Sequence, residues 1–194
     1  TARSPYGMVS AATRQAAEAG ARMLESGGNA VDAAVAAAFC LGVTEPQASG
    51  LGGQTMALVY LAEPRKSLAI DGSSRAPFAI NTMRLPDKPR TVGMKSTTLP
   101  STPATLGYLQ QHFGQLKLAE VLQPSIQAAA DGFEVTALLH RMIRREMENL
   151  LKDPLAVRRF FSDGKPLAAR ERLVQPELAE CLRRLAEEGW EAFY

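Results

Sequence analysis

The sequence predicts an α+β fold rich in helix, on three observations. Apolar residues recur at helical spacing in two early segments, two β-prone segments flank a short charged turn, and from Thr102 onward helical segments follow one another, most of them ended by glycine. The 194 residues, 46% hydrophobic and 22% charged, suffice to bury one sizeable core with a small lobe. No internal repeat, low-complexity tail or linker divides them, so residues 1–194 read as one domain or part of one.

Gly7 to Ala11 reads as a short strand, followed by a helix from about Ala12 to Glu25 with an apolar stripe of Ala16, Ala19, Gly20, Met23 and Leu24. Ser26-Gly27-Gly28 ends it. Asn29 then caps a second helix, Asp32 adds negative charge at its positive end, and Pro46 marks its outer limit. The alanines of 30–43 suit close packing of that helix on a sheet. QTMALVYLA at 54–62 and SLAID at 67–71 have the alternation of strands, and Glu63-Pro64-Arg65-Lys66 joins them as a hairpin turn.

Between Gly72 and Pro103, Pro77, Pro86, Pro89 and Pro100 leave little room for long regular elements, and loops of this kind often carry function. Helices follow at 102–113, ended by Gly114; at 117–131, ended by Gly132; at 135–151, ended before Pro154; and at 176–188, ended by Gly189. They form a covering layer.

Charge and length exclude several classes of function. Twenty-two basic and 20 acidic residues are spread along the chain, so no one-sided basic surface for nucleic acid exists. The longest apolar run, Ala33 to Val43, is far short of the roughly 20 residues that cross a bilayer. The opening TARSPYGMVSAA has no apolar signal core; the protein is cytoplasmic, or periplasmic or secreted if a targeting segment has been removed. Cys40 and Cys181 show no clustering that could hold zinc, and read as buried free thiols, with a disulfide between them as the alternative.

Among candidate sites, SGLGG at 49–53 lacks the Lys-Ser/Thr of a phosphate loop and precedes a strand, so it reads as a tight turn. His112 and His140 have no partner at ligand spacing, and the run Arg141, Arg144, Arg145, Glu146, Glu148 reads as a solvated helix face. Thr1 has the hydroxyl and amine of an N-terminal nucleophile, but the residues after it are neither strand-like nor apolar in alternation, which argues against that role. DGSSRAP at 71–77 stands out: two hydroxyls and a guanidinium leave a strand end together, and an arginine there can grip a carboxylate bidentately. The competing reading is a turn whose serines bond the local backbone.

The run GMVSAATRQAAEAGARMLESGGNAVDAAVAAAFCLGVTEPQASGLGG resembles the opening of the large subunit of γ-glutamyltranspeptidases and their acylase-like relatives. The resemblance continues through DGSSRAP, FGQLKLAEVLQPSIQAAADGFEV, FFSDGKPL and LVQPELAECLRRLAEEGWEAFY, and so covers nearly the whole chain. It implies part of an N-terminal nucleophile hydrolase, an αββα sandwich made by a precursor that cuts itself into two subunits. The threonine freed at the start of the small subunit would attack an amide, with its own amine as base, and pass a γ-glutamyl or other acyl group to water or an amine. That threonine is expected beyond Tyr194, with no catalytic residue, cofactor or metal in 1–194, and the piece by itself is expected to be inactive and to expose faces that a second chain covers.

Two departures bear on substrate. The family's arginine for the substrate α-carboxylate sits in an Asp-x-Arg-Glu-x-Ala-Pro pattern; here Ser73 and Ser74 take the Arg-Glu positions and Arg75 lies two residues later, a shift of roughly 6–7 Å along a strand. TLPSTPATLGY stands where the family usually has a Pro-Gly pair. Both weaken glutathione-type specificity. The expected substrate-binding residues are Arg75, Ser73 and Ser74, the expected partners are the small subunit and a small γ-glutamyl or acyl amide, and homo-oligomers are possible. The alternatives are a cephalosporin-type acylase or another amidohydrolase of the family, and a non-catalytic member acting as a binding module.

Overall fold

The computed structural model describes residues 3–78 and 96–194. Eight α-helices and three two-stranded antiparallel sheets make up the regular structure among these residues, an α+β arrangement as expected. Thr1 and the stretch with Pro86 and Pro89 lie outside the described residues.

Helix α1 (Arg14–Glu25) begins where the Thr13 hydroxyl accepts from the Ala16 amide, and it buries Ala16, Ala19, Gly20 and Met23 against α2 (Ala30–Thr44). The two helices cross closely at Gly20. A Cβ there would stand 2.7 Å from the Val9 side chain and 2.8 Å from the Ala33 carbonyl oxygen. Residues 7–11, expected as a strand, form no ladder: a strand needs a hydrogen-bonded neighbour, and this segment instead sets Val9 against Gly20.

Helix α2 is the hub of the core, meeting α1, α3 and α4. Its Asn29–Asp32 start is a capping box: Asn29 Oδ1 accepts from the amides of Val31 and Asp32, and Asp32 Oδ2 accepts from Asn29 N at 2.9 Å. The Asp32 carboxylate is fully buried and reaches further. It takes amides of the next two helices' connection, Gln115 N at 2.9 Å and Leu116 N at 3.3 Å, while Asn29 Nδ2 donates to the Phe113 carbonyl. Gly114 makes the approach possible, because a Cβ there would lie 2.5 Å from Asp32 Oδ1.

The alanine stripe of α2 does not pack on a sheet as expected. Ala30, Ala34 and Ala38 line an open groove of about 530 Å³ facing strand β1 (Thr55–Leu61). That strand pairs with β2 (Lys66–Gly72) in the expected hairpin, from Thr55 opposite Gly72 to Leu61 opposite Lys66. Only these two strands make the sheet among the described residues, so both outer edges lack a partner, and Met56, Leu58 and Tyr60 stand exposed on one face.

Helix α3 (Thr102–Phe113) and α4 (Leu118–Asp131) follow closely the expected bounds, the latter ending at Gly132 with φ +77°. The expected helix at 135–151 is broken into α5 (Ala137–Arg145) and α6 (Met147–Leu150). Its buried stripe holds Leu139 and Ile143, the next position, Met147, is exposed, and Leu150 is again packed against the core. Pro154 ends this region but also starts a helix, α7 (Pro154–Phe160), capped by the Asp153 carboxylate on Leu155 N at 2.8 Å. Four two-residue strands, β3 (Phe133–Glu134) paired with β6 (Arg172–Leu173) and β4 (Phe161–Ser162) paired with β5 (Lys165–Pro166), were beyond the reach of periodicity. Helix α8 (Pro176–Glu188) packs on α4 with the expected bounds, and the chain closes in a 3₁₀ turn, Trp190–Phe193.

Both cysteines are free, Cys40 buried in α2 and Cys181 half-buried in α8, which sets the disulfide reading aside. Burial pushes the Cys40 thiol up to about 11. Because the folded chain holds that proton more tightly than the unfolded one, stability from this group is complete below about pH 9 and falls by up to about 1.4 kcal/mol per pH unit towards pH 11. The loss of urea midpoint between pH 8 and pH 10.5 should therefore be smaller in Cys40→Ala than in the parent protein. Replacing Asp32 by Ala strands amides of Asn29, Gln115 and Leu116 in a buried setting, a cost of about 2–4 kcal/mol in denaturant titration.

Candidate functional site

The strand end at 71–77 is held in a frame of main-chain bonds. Gly53 closes a turn on Gly50 (3.3 Å), and its carbonyl accepts from Ser101 N at 3.0 Å and Thr102 N at 3.3 Å at the start of α3. The glycines of GLGG thus serve the expected turn into β1, and the structure adds that this turn ties β1 to α3. The hydroxyls of Thr55 and Thr102 meet at 3.0 Å, and the Ser101 hydroxyl donates to the Gly72 carbonyl. Gly72 admits no Cβ, since one would collide with the Thr105 hydroxyl and the Thr55 carbonyl. Strand end and helix start are therefore in direct contact.

From that frame the three expected substrate-binding residues diverge. Ser73 N and Oγ both donate to Asp71 Oδ1, at 3.0 and 2.5 Å, and these bonds hold the Asp71 carboxyl below its usual range. Ser74 turns the other way, its amide and hydroxyl donating to Gln54 Oε1 at 3.2 and 3.4 Å. Arg75 exchanges main-chain bonds with Leu99, Arg75 N to Leu99 O at 3.3 Å and Leu99 N to Arg75 O at 2.7 Å, which fixes its backbone while its side chain stays exposed. Ser73 and Arg75 line one cleft of about 540 Å³, and Ser74 is not part of its lining. The alternation of side chains along extended backbone accounts for the split.

The far wall of this cleft comes from residues that the sequence did not single out: Thr105 and Tyr108 of α3, and Trp190 and Tyr194 of the closing turn. The Tyr194 hydroxyl donates to the Pro100 carbonyl at 2.8 Å and accepts from Ala104 N at 3.4 Å, and burial pushes it up from its ordinary value. The Trp190 indole N–H donates to Gln111 Oε1 at 3.3 Å. Thr105 and Tyr108 lie 30 and 33 positions from Arg75, and Trp190 and Tyr194 lie 115 and 119, so they form no local motif with it.

The other candidates keep their structural roles. His112 Nδ1 lies 2.9 Å from the Tyr108 carbonyl and its ring stacks on Tyr108, while His140 Nδ1 lies 2.7 Å from the Leu167 carbonyl. Arg141, Arg144, Arg145, Glu146 and Glu148 are all exposed. Among the described residues, no group of three His, Cys, Asp or Glu could hold a metal, and no helix is long and apolar enough to cross a membrane.

Residues 16–194 match a family model described as gamma-glutamyltranspeptidase. Over 98% of its length the chain is 35% identical to glutathione hydrolase 3 of Arabidopsis thaliana, covering 30% of that protein. It is 37% identical, over 97% of its length, to the acylase ACY 1 proenzyme of Pseudomonas sp. strain SE83, covering 36% of it. The crystal structure of the Helicobacter pylori gamma-glutamyltranspeptidase superposes on the whole chain with a TM-score of 0.91 at 28% identity, and 58% of that chain is covered. The chain thus spans about a third of the length of the curated relatives it matches.

The Ser73 bonds to Asp71 make a titration test. In Ser73→Ala the Asp71 carboxyl should lose the hydroxyl bond, the larger of the two that depress it, keep the amide bond, and titrate at higher pH than in the parent, read from the carboxyl-carbon chemical shift in NMR. An unchanged midpoint would exclude Ser73 as the cause.

Proposed function

The chain belongs to the gamma-glutamyltranspeptidase family, and on that premise we propose that residues 1–194 are the N-terminal portion of the large subunit of a self-processing amidohydrolase or acyltransferase. In this reading a precursor cleaves itself, as the proenzyme name of the acylase relative implies for that protein, and the threonine at the start of the small subunit is the nucleophile. It attacks the amide carbon, its amine takes the hydroxyl proton, and the leaving amine departs with a proton. Water or a second amine then takes the acyl group. The contribution of residues 1–194 is to bind and orient the acyl group.

Arg75, with Ser73 beside it, lines the acyl pocket, and Ser74 braces the strand end from the other side through Gln54. The observation that carries this is that Ser73, which holds the position of the family's substrate arginine, and Arg75 line one cleft on the same side of the strand end. Within reach of that cleft a guanidinium can grip a carboxylate by two parallel hydrogen bonds. The small subunit from the same precursor is the proposed partner for the open groove beside β1 and for exposed Met56, Leu58 and Tyr60, an apolar surface of the kind that marks an interface.

A second reading, a cephalosporin-type acylase, is favoured by one observation: serines stand at 73 and 74 where the transpeptidase pattern has Arg-Glu. Rates on γ-glutamyl-p-nitroanilide against glutaryl-p-nitroanilide separate the two. In the complete processed enzyme, Arg75→Ala should raise KM for an anionic acyl donor by more than about tenfold while self-cleavage continues. Unchanged kinetics would remove Arg75 from the pocket.

A further inference from the structure

We propose that Trp190 and Tyr194 form a specificity-determining wall of the acyl cleft, selecting donors whose acyl group joins a carboxylate to an apolar, aryl-bearing segment. The inference rests on the reading of Arg75 as the carboxylate-binding residue and adds the part of the acyl group that lies beyond it.

The wall is built into the fold. Helix α3 carries glycine at 107, and a Cβ at that position would collide with the Trp190 ring, so the indole is seated against the helix backbone. The Trp190 N–H is occupied by Gln111 Oε1, and the Tyr194 hydroxyl is occupied by the Pro100 carbonyl and the Ala104 amide. The two rings meet edge to face with centroids 6.4 Å apart. With their polar atoms turned to the protein, what these side chains have left for the cleft is ring surface, and Tyr194 remains 60% exposed. Rings fixed in this way lose little conformational freedom when a ligand covers them.

Charge in the cleft points the same way. Arg75 has no ion-pair or side-chain hydrogen-bond partner among the described residues, whereas the carboxylate of Asp71 already accepts two bonds from Ser73. Among the described residues the cleft therefore offers a cation without a partner, beside a carboxylate that holds Ser73 through one of its oxygens. An acyl group that ends in a carboxylate finds a partner here. Next to the cation lies aromatic surface, which favours an acyl chain bearing a ring.

The test uses the full-length, self-processed enzyme with glutaryl-p-nitroanilide and 3-phenylglutaryl-p-nitroanilide as a matched pair. The parent enzyme should prefer the phenyl-bearing donor by about tenfold or more in kcat/KM, chiefly through KM, the scale on which apolar pockets discriminate. Trp190→Ala should bring that ratio below about 2, and Trp190→Phe should retain most of it. If Trp190→Ala does not accumulate as folded protein, Tyr194→Leu serves in its place, with a fall in the ratio of about threefold or more expected. A parent enzyme with no preference, or a ratio that survives loss of the wall residue, overturns the proposal. Arg75→Ala is measured on the same pair. A raised KM for both donors beside an insensitive ratio overturns the wall alone. A ratio lost in Trp190→Ala beside an unchanged KM in Arg75→Ala overturns the Arg75 pocket and leaves the wall standing.

Discussion

A buried carboxylate at the start of α2 organises the helical half of the molecule. Asp32 has no access to water, so each of its oxygens must find donors within the protein, and it finds them in its own helix and in the connection between α3 and α4. The amides it accepts from would otherwise be orphans of a helix start and of a tight connection. One side chain thus satisfies two segments more than eighty residues apart, and glycine at 114 is what lets them come so near. Asn29 adds a second strut on the same connection through the Phe113 carbonyl. The direction of α3 follows from these bonds.

The cleft depends on that direction. Helix α3 supplies Thr105 and Tyr108 to its wall, carries the glycine that seats Trp190, and begins where Ser101 and Thr102 bond Gly53. The strand end with Ser73 and Arg75 is pressed on the same helix at Gly72. Scaffold residues of the GGNAVD stretch and site residues of the DGSSRAP stretch are therefore linked through one helix.

Features encoded locally were legible in the sequence. Gly114, Gly132 and Gly189 stop helices where expected, Asn29 caps α2, and the alternation at 54–62 gives the hairpin. What failed depended on distant partners. The expected strand at 7–11 had the right composition but no ladder partner among the described residues, and the helix expected at 135–151 breaks after Arg145, where the next position of its stripe, Met147, is exposed. Asp32 was readable as a charge at a helix start, but its bonds to residues 115 and 116 leave no trace in local periodicity. Likewise the chemistry of Ser73, Ser74 and Arg75 was visible in their types, whereas the aromatic side of the cleft required knowing that residue 190 comes to rest on residue 107.

That last contact sets a rule for how this chain can vary. Position 107 is restricted to glycine only as long as a large ring sits at 190, and the ring can be lost without leaving a gap only if something larger than glycine arrives at 107. The two positions should accordingly change as a pair, so that a relative with a smaller residue at 190 is free to carry a side chain at 107. The cleft would then exchange a wall contributed by the closing turn for one contributed by the helix itself.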